Sequence, residues 1–242
     1  MGMPVTIEVV DPTSAATLEM VFDYFRTVDE RFSTYKSTSE ISKINRGEIM
    51  ESEYSREMRE VFALAEEMKI RTDGYFEIRT PTGSYDPSGI VKGWAIRKAA
   101  KLLREQGYQN FYVEAGGDIQ TAGHSKNGEP WKVGIRNPFN DTEIINTVIL
   151  SSAAIATSGT YIRGRHIYNP KTGREASNEI VSISVVGTDI YEADSYATAA
   201  FAMGREGINL IETIPGLEGY MIDANGIATE TSGFEKYVLE SI

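Results

Sequence analysis

Cysteine is absent from the 242 residues. That excludes disulfides, thiolate catalysis and Cys-ligated zinc or iron–sulfur sites. It leaves the redox compartment open, because a cysteine-free chain suits an oxidising or a reducing one. Long apolar runs are missing as well, so no segment is expected to cross a bilayer. The opening MGMPVTIEVV has neither the basic stretch nor the apolar core of a signal peptide and reads as a strand. Gly2 and Thr6 formally fit a myristoylation pattern, which is too loosely specified to carry weight. Positive charge is scarce: 24 Lys and Arg against 35 Asp and Glu give a net charge of −11. An acidic surface repels phosphate backbones, so nucleic acid is not expected as a partner. A phosphorylated ligand would need local amides, a few cations or a metal to overcome that field. Low-complexity stretches, repeats and Pro/Gly/Ser-rich linkers are also lacking. With 41% hydrophobic residues, the expectation is a single domain over 1–242.

What is present alternates between helical and extended patterns. Met3 to Val10 carries β-type residues. Asp11 or Ser14 can cap a helix with Leu18, Val21, Phe22, Phe25 and Val28 on one face. The segment RFSTYKSTSEISKINRG looks too polar to contribute core. A second amphipathic helix is predicted over roughly 56–72, ended by Asp73-Gly74. TPTGSYDPSGIVKG then runs into a helix whose buried stripe is Val91, Ala95, Ala99, Leu102 and Leu103, with Gly107 as its stop. NFYVEAGGDIQTAG reads as strand, glycine turn and strand. WKVGIRNP, NTVILSSAAIATSG and IVSISVVG read as further strands. Asp194 to Met203 and a stretch near 208–214 read as helices, and GYMIDANGIATETSGF as a hairpin around Ala224-Asn225-Gly226. Antiparallel-looking strands with irregularly interposed helices indicate the α+β class.

Four glycine-containing segments carry candidate chemistry. In DPSGIVKG a flexible loop enters a helix with Lys92 in its first turn. Exposed amides, the helix dipole and an ammonium make a phosphate cradle, although such a loop can equally do no more than start a helix. The GxxxxGK[ST] and GxGxxG patterns are both absent. Asp194 and Thr198 lie one helical turn apart and offer the hard oxygen ligands that magnesium accepts. The competing reading is that Asp194 simply caps a helix. His124 lies in a polar turn. His166, between Arg163, Arg165 and Tyr168-Asn169-Pro170, can serve as a general base or phosphate contact, or as an ordinary surface histidine.

The order of these segments resembles the ApbE family of FAD:protein FMN transferases. MGMPVTI is similar to that family's opening motif, and STYKSTSEISKIN to its polar segment. DPSGIVKGWA, AGGD, WKVGIRNP, ATSGTY, HIYNPKTG and ADSYATAAFAMG follow in the family's order, so the resemblance runs from Met1 to about Met203. It implies a T-fold-like architecture of largely antiparallel sheets with packed helices and a flavin cleft between two halves. It further implies FAD and Mg²⁺, and transfer of FMN to a Thr or Ser of a target flavoprotein with release of AMP. Carried over by position, Asp194, Thr198 and the Gly89 carbonyl match metal ligands. Tyr35, Lys92, Gly116, Gly117, Asp118, Ser158 and His166 match flavin-nucleotide positions, and His166 with Asp194 would be catalytic. The chain departs from the family at Met3, where Thr is usual, at Pro87-Ser88, more often Leu-Gly, and at Asn169, commonly Asp.

Two other activities suit the same residues: a metal-dependent FAD pyrophosphatase giving FMN and AMP, and a non-catalytic FAD-binding protein. A cytoplasmic location is expected, or an exported form with its signal removed.

Overall fold

The computed structural model describes residues 2–160, 167–176 and 179–239. Its elements in chain order are β1 (Val5–Val9), α1 (Ala15–Phe32), α2 (Glu40–Asn45), α3 (Arg56–Arg71), α4 (Ser88–Glu105), β2 (Phe111–Ala115) and β3 (Asp118–Ala122). There follow β4 (Trp131–Asn137), β5 (Asn140–Leu150), β6 (Ala154–Gly159), β7 (Tyr168–Asn169), β8 (Arg174–Glu175), β9 (Ile180–Gly187), α5 (Ile190–Met203), α6 (Gly207–Thr213), β10 (Glu218–Asp223) and β11 (Ala228–Glu230). Seven strands form one sheet in the order β1-β2-β3-β6-β9-β10-β11. Every neighbouring pair in it is antiparallel, so the α+β expectation holds.

Strand alternation sends successive side chains to opposite faces, and the two faces meet different partners. Phe111, Val113, Ala115, Ala154, Ala156, Ile183, Val185 and Met221 join the helices in the larger core. Tyr112, Ile119, Ile155, Val186, Tyr220 and Ile222 pack instead on Trp131, Ile135, Val148 and Leu150 of the β4–β5 ribbon, and on Phe234. Helix, sheet and ribbon are therefore stacked as layers, with α4 and α5 lying next to the sheet.

Local chemistry explains most element boundaries. The Ser14 hydroxyl accepts the Thr17 N–H at the start of α1, and that of Ser55 accepts the Met58 N–H at the start of α3. Asp11 acts at longer range. Its carboxylate accepts the N–H groups of Gln109 and Asn110 and the Asn110 side chain, tying the approach to α1 to that of β2.

Four expectations are corrected. The polar segment 31–47 does reach the core, because α2 turns Ile41 and Ile44 inward under a Ser39 cap. NTVILSSAAIATSG is not one strand. The chain leaves the ribbon at Leu150, turns through Ser152 with positive φ, and enters the main sheet as β6. The buried surface of α4 is wider than one stripe, taking in Ile90, Trp94, Ile96 and Ala100 as well, because the sheet, α1 and α5 all pack around it. Finally, α5 begins at Ile190, with the Asp189 side chain accepting the Tyr191 N–H. Asp194 is a mid-helix residue, and the cap reading for it is removed.

Candidate functional site

The N-terminus of α4 and the middle of α5 open on one cleft of about 950 Å³, its solvent-facing mouth included. Gly89 and Lys92 come from α4, Gly116 from the β2–β3 turn, Thr157 and Ser158 from β6, and Asp194 and Thr198 from α5. The outer wall is built by Tyr75, Phe76, Glu77, Ile78, Ile167, Tyr168 and Pro170.

At the floor, one ammonium serves two buried carboxylates. Lys92 Nζ lies 2.5 Å from Asp118 Oδ2 and 3.5 Å from Asp194 Oδ1. Asp118 Oδ1 accepts the Thr157 N–H at 3.1 Å, and Asp194 Oδ2 accepts the Gly93 N–H at 2.7 Å. Burial pushes the Asp194 carboxyl well above the usual carboxylate range. The Lys92 charge and the Gly93 amide pull it back, while Asp118 adds to the rise. With both carboxylates ionised the three groups would sum to −1, and the raised Asp194 carboxyl is the response to that deficit of positive charge in a desolvated place.

Gly93 makes this arrangement possible. A Cβ there would stand 2.8 Å from both Asp194 Cβ and the Ile190 carbonyl oxygen, so only glycine lets α4 and α5 approach closely enough for the amide to reach Asp194. The regular helical acceptor of that amide is the Gly89 carbonyl, on a residue that itself faces Thr198: a Cβ on Gly89 would lie 3.2 Å from Thr198 Cγ2. Ser158 Oγ is 3.5 Å from Thr198 Oγ1. At the β2–β3 turn Gly116 and Gly117 take φ of 61° and 95°, values that favour glycine.

Of the residues singled out from sequence, Gly89, Lys92, Gly116, Ser158, Asp194 and Thr198 line the cleft. Asp118 supports it from beneath through Lys92, and Gly117 completes the turn beside Gly116. Tyr35 stands apart, 93% exposed between α1 and α2 and outside the cleft wall. His166, Arg163 and Arg165 lie outside the described residues. Sequence reasoning missed the 75–78 wall and Tyr168, whose hydroxyl donates to the Arg79 carbonyl at 2.6 Å. The aromatic pair Tyr75-Phe76 directly after the Asp73-Gly74 turn was the available signal.

The donor set favours a hard cation. Among the described residues no three His, Cys, Asp or Glu side chains gather to hold an ion. One carboxylate, the Thr198 hydroxyl and the Gly89 carbonyl are a sparse, all-oxygen set. Magnesium commonly binds through one or two carboxylates and completes its shell with water and substrate phosphates. The residues therefore fit a magnesium ion that arrives with a phosphorylated ligand, and fit a thiophilic metal poorly.

The family model for the ApbE family matches residues 1–83 and 79–221. FAD:protein FMN transferase from Vibrio cholerae is 34% identical over 165 residues, covering 64% of this chain and 48% of that protein. The Haemophilus influenzae protein of the same name is 30% identical over 168 residues, covering 64% and 49%, and the Escherichia coli K12 one 28% over 166 residues, covering 65% and 47%. The chain thus spans about half the length of the curated relatives it matches. Among solved structures, flavin transferase ApbE from Vibrio cholerae superposes with a TM-score of 0.85 at 24% identity, covering 98% of this chain and 96% of that one. The ApbE protein of Thermotoga maritima gives 0.86 at 22%, covering 99% and 97%. With the family model matched along nearly the whole chain and the fold shared, this chain belongs to the ApbE family.

Proposed function

We propose that this chain transfers FMN from FAD to a Ser or Thr hydroxyl of a target flavoprotein, releasing AMP, with Mg²⁺ held by Asp194, Thr198 and the Gly89 carbonyl. The observation that carries the reading is the floor of the cleft, where one ammonium is shared by two buried carboxylates beside a helix N-terminus. That floor suits a pyrophosphate accompanied by a divalent cation. The names of the relatives, FAD:protein FMN transferase, support the same donor and reaction. Bound there, Mg²⁺ supplies charge neutralisation and Lewis acidity at the pyrophosphate.

The chain's own residues then account for the rest. Lys92 and the Gly89 N–H at the start of α4 hold phosphate oxygens, the neighbouring Ser88, Ile90 and Val91 N–H groups being taken by Asp86 Oδ1 and the Pro87 carbonyl. Ser158 and Thr198 fix the approach from the opposite wall, and the 75–78 wall with Tyr168 excludes water. Catalysis by such a site is mostly positioning and electrostatic stabilisation, as in other phosphoryl transfers.

Incubation with FAD, Mg²⁺ and a candidate flavoprotein, followed by mass spectrometry, tests the proposal. Expected are an acceptor carrying FMN as a phosphoester on Ser or Thr, heavier by FMN less one water, and stoichiometric AMP. Free FMN and AMP with no modified acceptor would establish a pyrophosphatase instead. FAD bound without turnover would establish a binding protein.

A further inference from the structure

Gln120 is a neutral side chain 3% exposed in the middle of β3, and every polar atom it owns is used. Its Oε1 accepts the Ile190 N–H at 3.0 Å. Its Nε2 donates to the carbonyl oxygens of Ala153 at 3.2 Å, Thr188 at 3.3 Å and Thr121 at 3.3 Å. The amide orientation follows from these partners: the one N–H must meet oxygen and the carbonyls must meet nitrogen.

Two of the partners flank the start of α5. The first amides of a helix have no acceptor inside it; Asp189 satisfies the Tyr191 N–H, and Gln120 satisfies that of Ile190 from a different strand. The Ala153 turn needs no help from Gln120, since Thr121 already bonds it in both directions through its hydroxyl and once more through its N–H. The work particular to Gln120 is therefore at α5. Asp194 lies one turn further along that helix, about 6 Å, and Thr198 one turn beyond.

The same strand holds the other side of the floor. Asp118 and Gln120 are two residues apart on β3 and share a face, both buried on the side of the helices. Asp118 anchors Lys92 while Gln120 anchors the helix that bears Asp194. One five-residue strand thus sets the separation between the ammonium and the carboxylate it shares.

We propose that Gln120 is a positioning residue for this site, fixing the axial place of α5 so that Asp194 and Thr198 meet the Gly89 carbonyl at metal-binding distance. The proposal rests on the reading of the cleft as a metal–pyrophosphate site, and its test separates the two.

Gln120→Met keeps volume and removes all four bonds. Thr231→Val is the control: Thr231 is buried and bonds the Gly219 N–H and Glu218, away from the cleft in the β10–β11 region. Mn²⁺ binding in the presence of FAD is followed by electron paramagnetic resonance, together with melting temperature and amide hydrogen exchange. Gln120→Met is expected to weaken Mn²⁺ at least about tenfold, the lower end for loss of a residue that orients metal ligands, and to lose exchange protection mainly over 188–195. Thr231→Val is expected to lower the melting temperature with Mn²⁺ affinity unchanged. Equal effects of both variants on Mn²⁺, or none from Gln120→Met, would make Gln120 an ordinary structural amide. If the unaltered protein binds no Mn²⁺ with FAD, the metal reading fails. Exchange then decides alone: protection lost around 188–195 supports the positioning role, and uniform loss overturns it. Should Gln120→Met not fold, Gln120→Leu, which also removes the acceptor for the Ile190 N–H, is read by the same measurements; if neither folds, hydrogen exchange of the unaltered protein decides, and an unprotected Ile190 N–H overturns the proposal.

Discussion

Asp194 is the carboxylate proposed to hold the metal, and its surroundings make a clean substitution available. Asparagine in its place keeps an oxygen for the Gly93 N–H and the volume between α4 and α5, while removing the charge. Asp194→Asn should leave a folded protein whose Mg²⁺-dependent turnover falls at least about a hundredfold, since a divalent cation supplies several kcal/mol of transition-state stabilisation. FAD affinity should fall much less. Steady-state rates over a Mg²⁺ titration check this, and near-normal turnover at saturating metal would remove Asp194 from the ligand set. Asp11 gives a prediction of another kind. Its bonds from the Asn110 side chain and the Asn110 and Gln109 amides hold its carboxyl below the ordinary 3.8. A depressed carboxyl contributes stability that is present above the unfolded value and is lost as pH falls through the native one. Asp11→Asn should therefore cost about 1 kcal/mol near neutrality and reduce the loss of stability below about pH 4, measured as urea midpoints across the acid range up to neutrality. At this scale the sequence was partly legible. Asp194, Thr198 and Lys92 stood out by residue type and spacing and Gly89 by the family resemblance, yet neither the ion pair with Asp118 nor the role of Gly93 could be read. Both depend on partners from distant segments.

Elements were read better than their depths. Ser14 capping α1, glycine turns at 116–117 and 226, and β-branched alternation are local signals, because caps, turns and pleats are made by neighbouring residues. The amphipathic stripe on α4 underestimated its burial, since periodicity reports one apolar face and cannot say that a second helix covers another. The contact that sets the α4–α5 spacing is Gly93. Gly93→Ala would drive a methyl group against the Ile190 carbonyl and Asp194 Cβ, each 2.8 Å from it. Overpacking of this kind costs about 1–3 kcal/mol, despite alanine's better helix propensity. It should also lower turnover, because the amide that orients Asp194 moves with α4. Chemical denaturation and Mg²⁺-dependent rates measure the two effects, and unchanged activity with full stability would show that the helices separate without consequence.

For the whole molecule, a net charge of −11 surrounds a cleft proposed to bind a pyrophosphate. FAD and Mg²⁺ should consequently stabilise the fold cooperatively. With Mg²⁺ fixed and FAD at about a hundred times its apparent dissociation constant, linkage gives about 2.7 kcal/mol, a rise of roughly 5–10 °C for a chain of this size. FAD with a chelator should give much less. An equal rise with and without Mg²⁺, followed by scanning fluorimetry, would show that the ligand binds without a metal bridge. The sequence by itself determined the class, most of the helices and strands, the glycine turns and the absence of thiol chemistry, because each follows from composition or from residues within a turn or two of one another. Its motif order also pointed to the family. Only the tertiary structure decided that β6 leaves the ribbon for the main sheet, that Ile41 and Ile44 are core, and that Asp194 lies within a helix capped by Asp189. It alone brought Lys92, Asp118 and Asp194 together and set Gln120 against the start of α5. The physical reason is that burial of apolar faces sets which distant segments meet, and a polar side chain carries no mark of the partner it will be buried against.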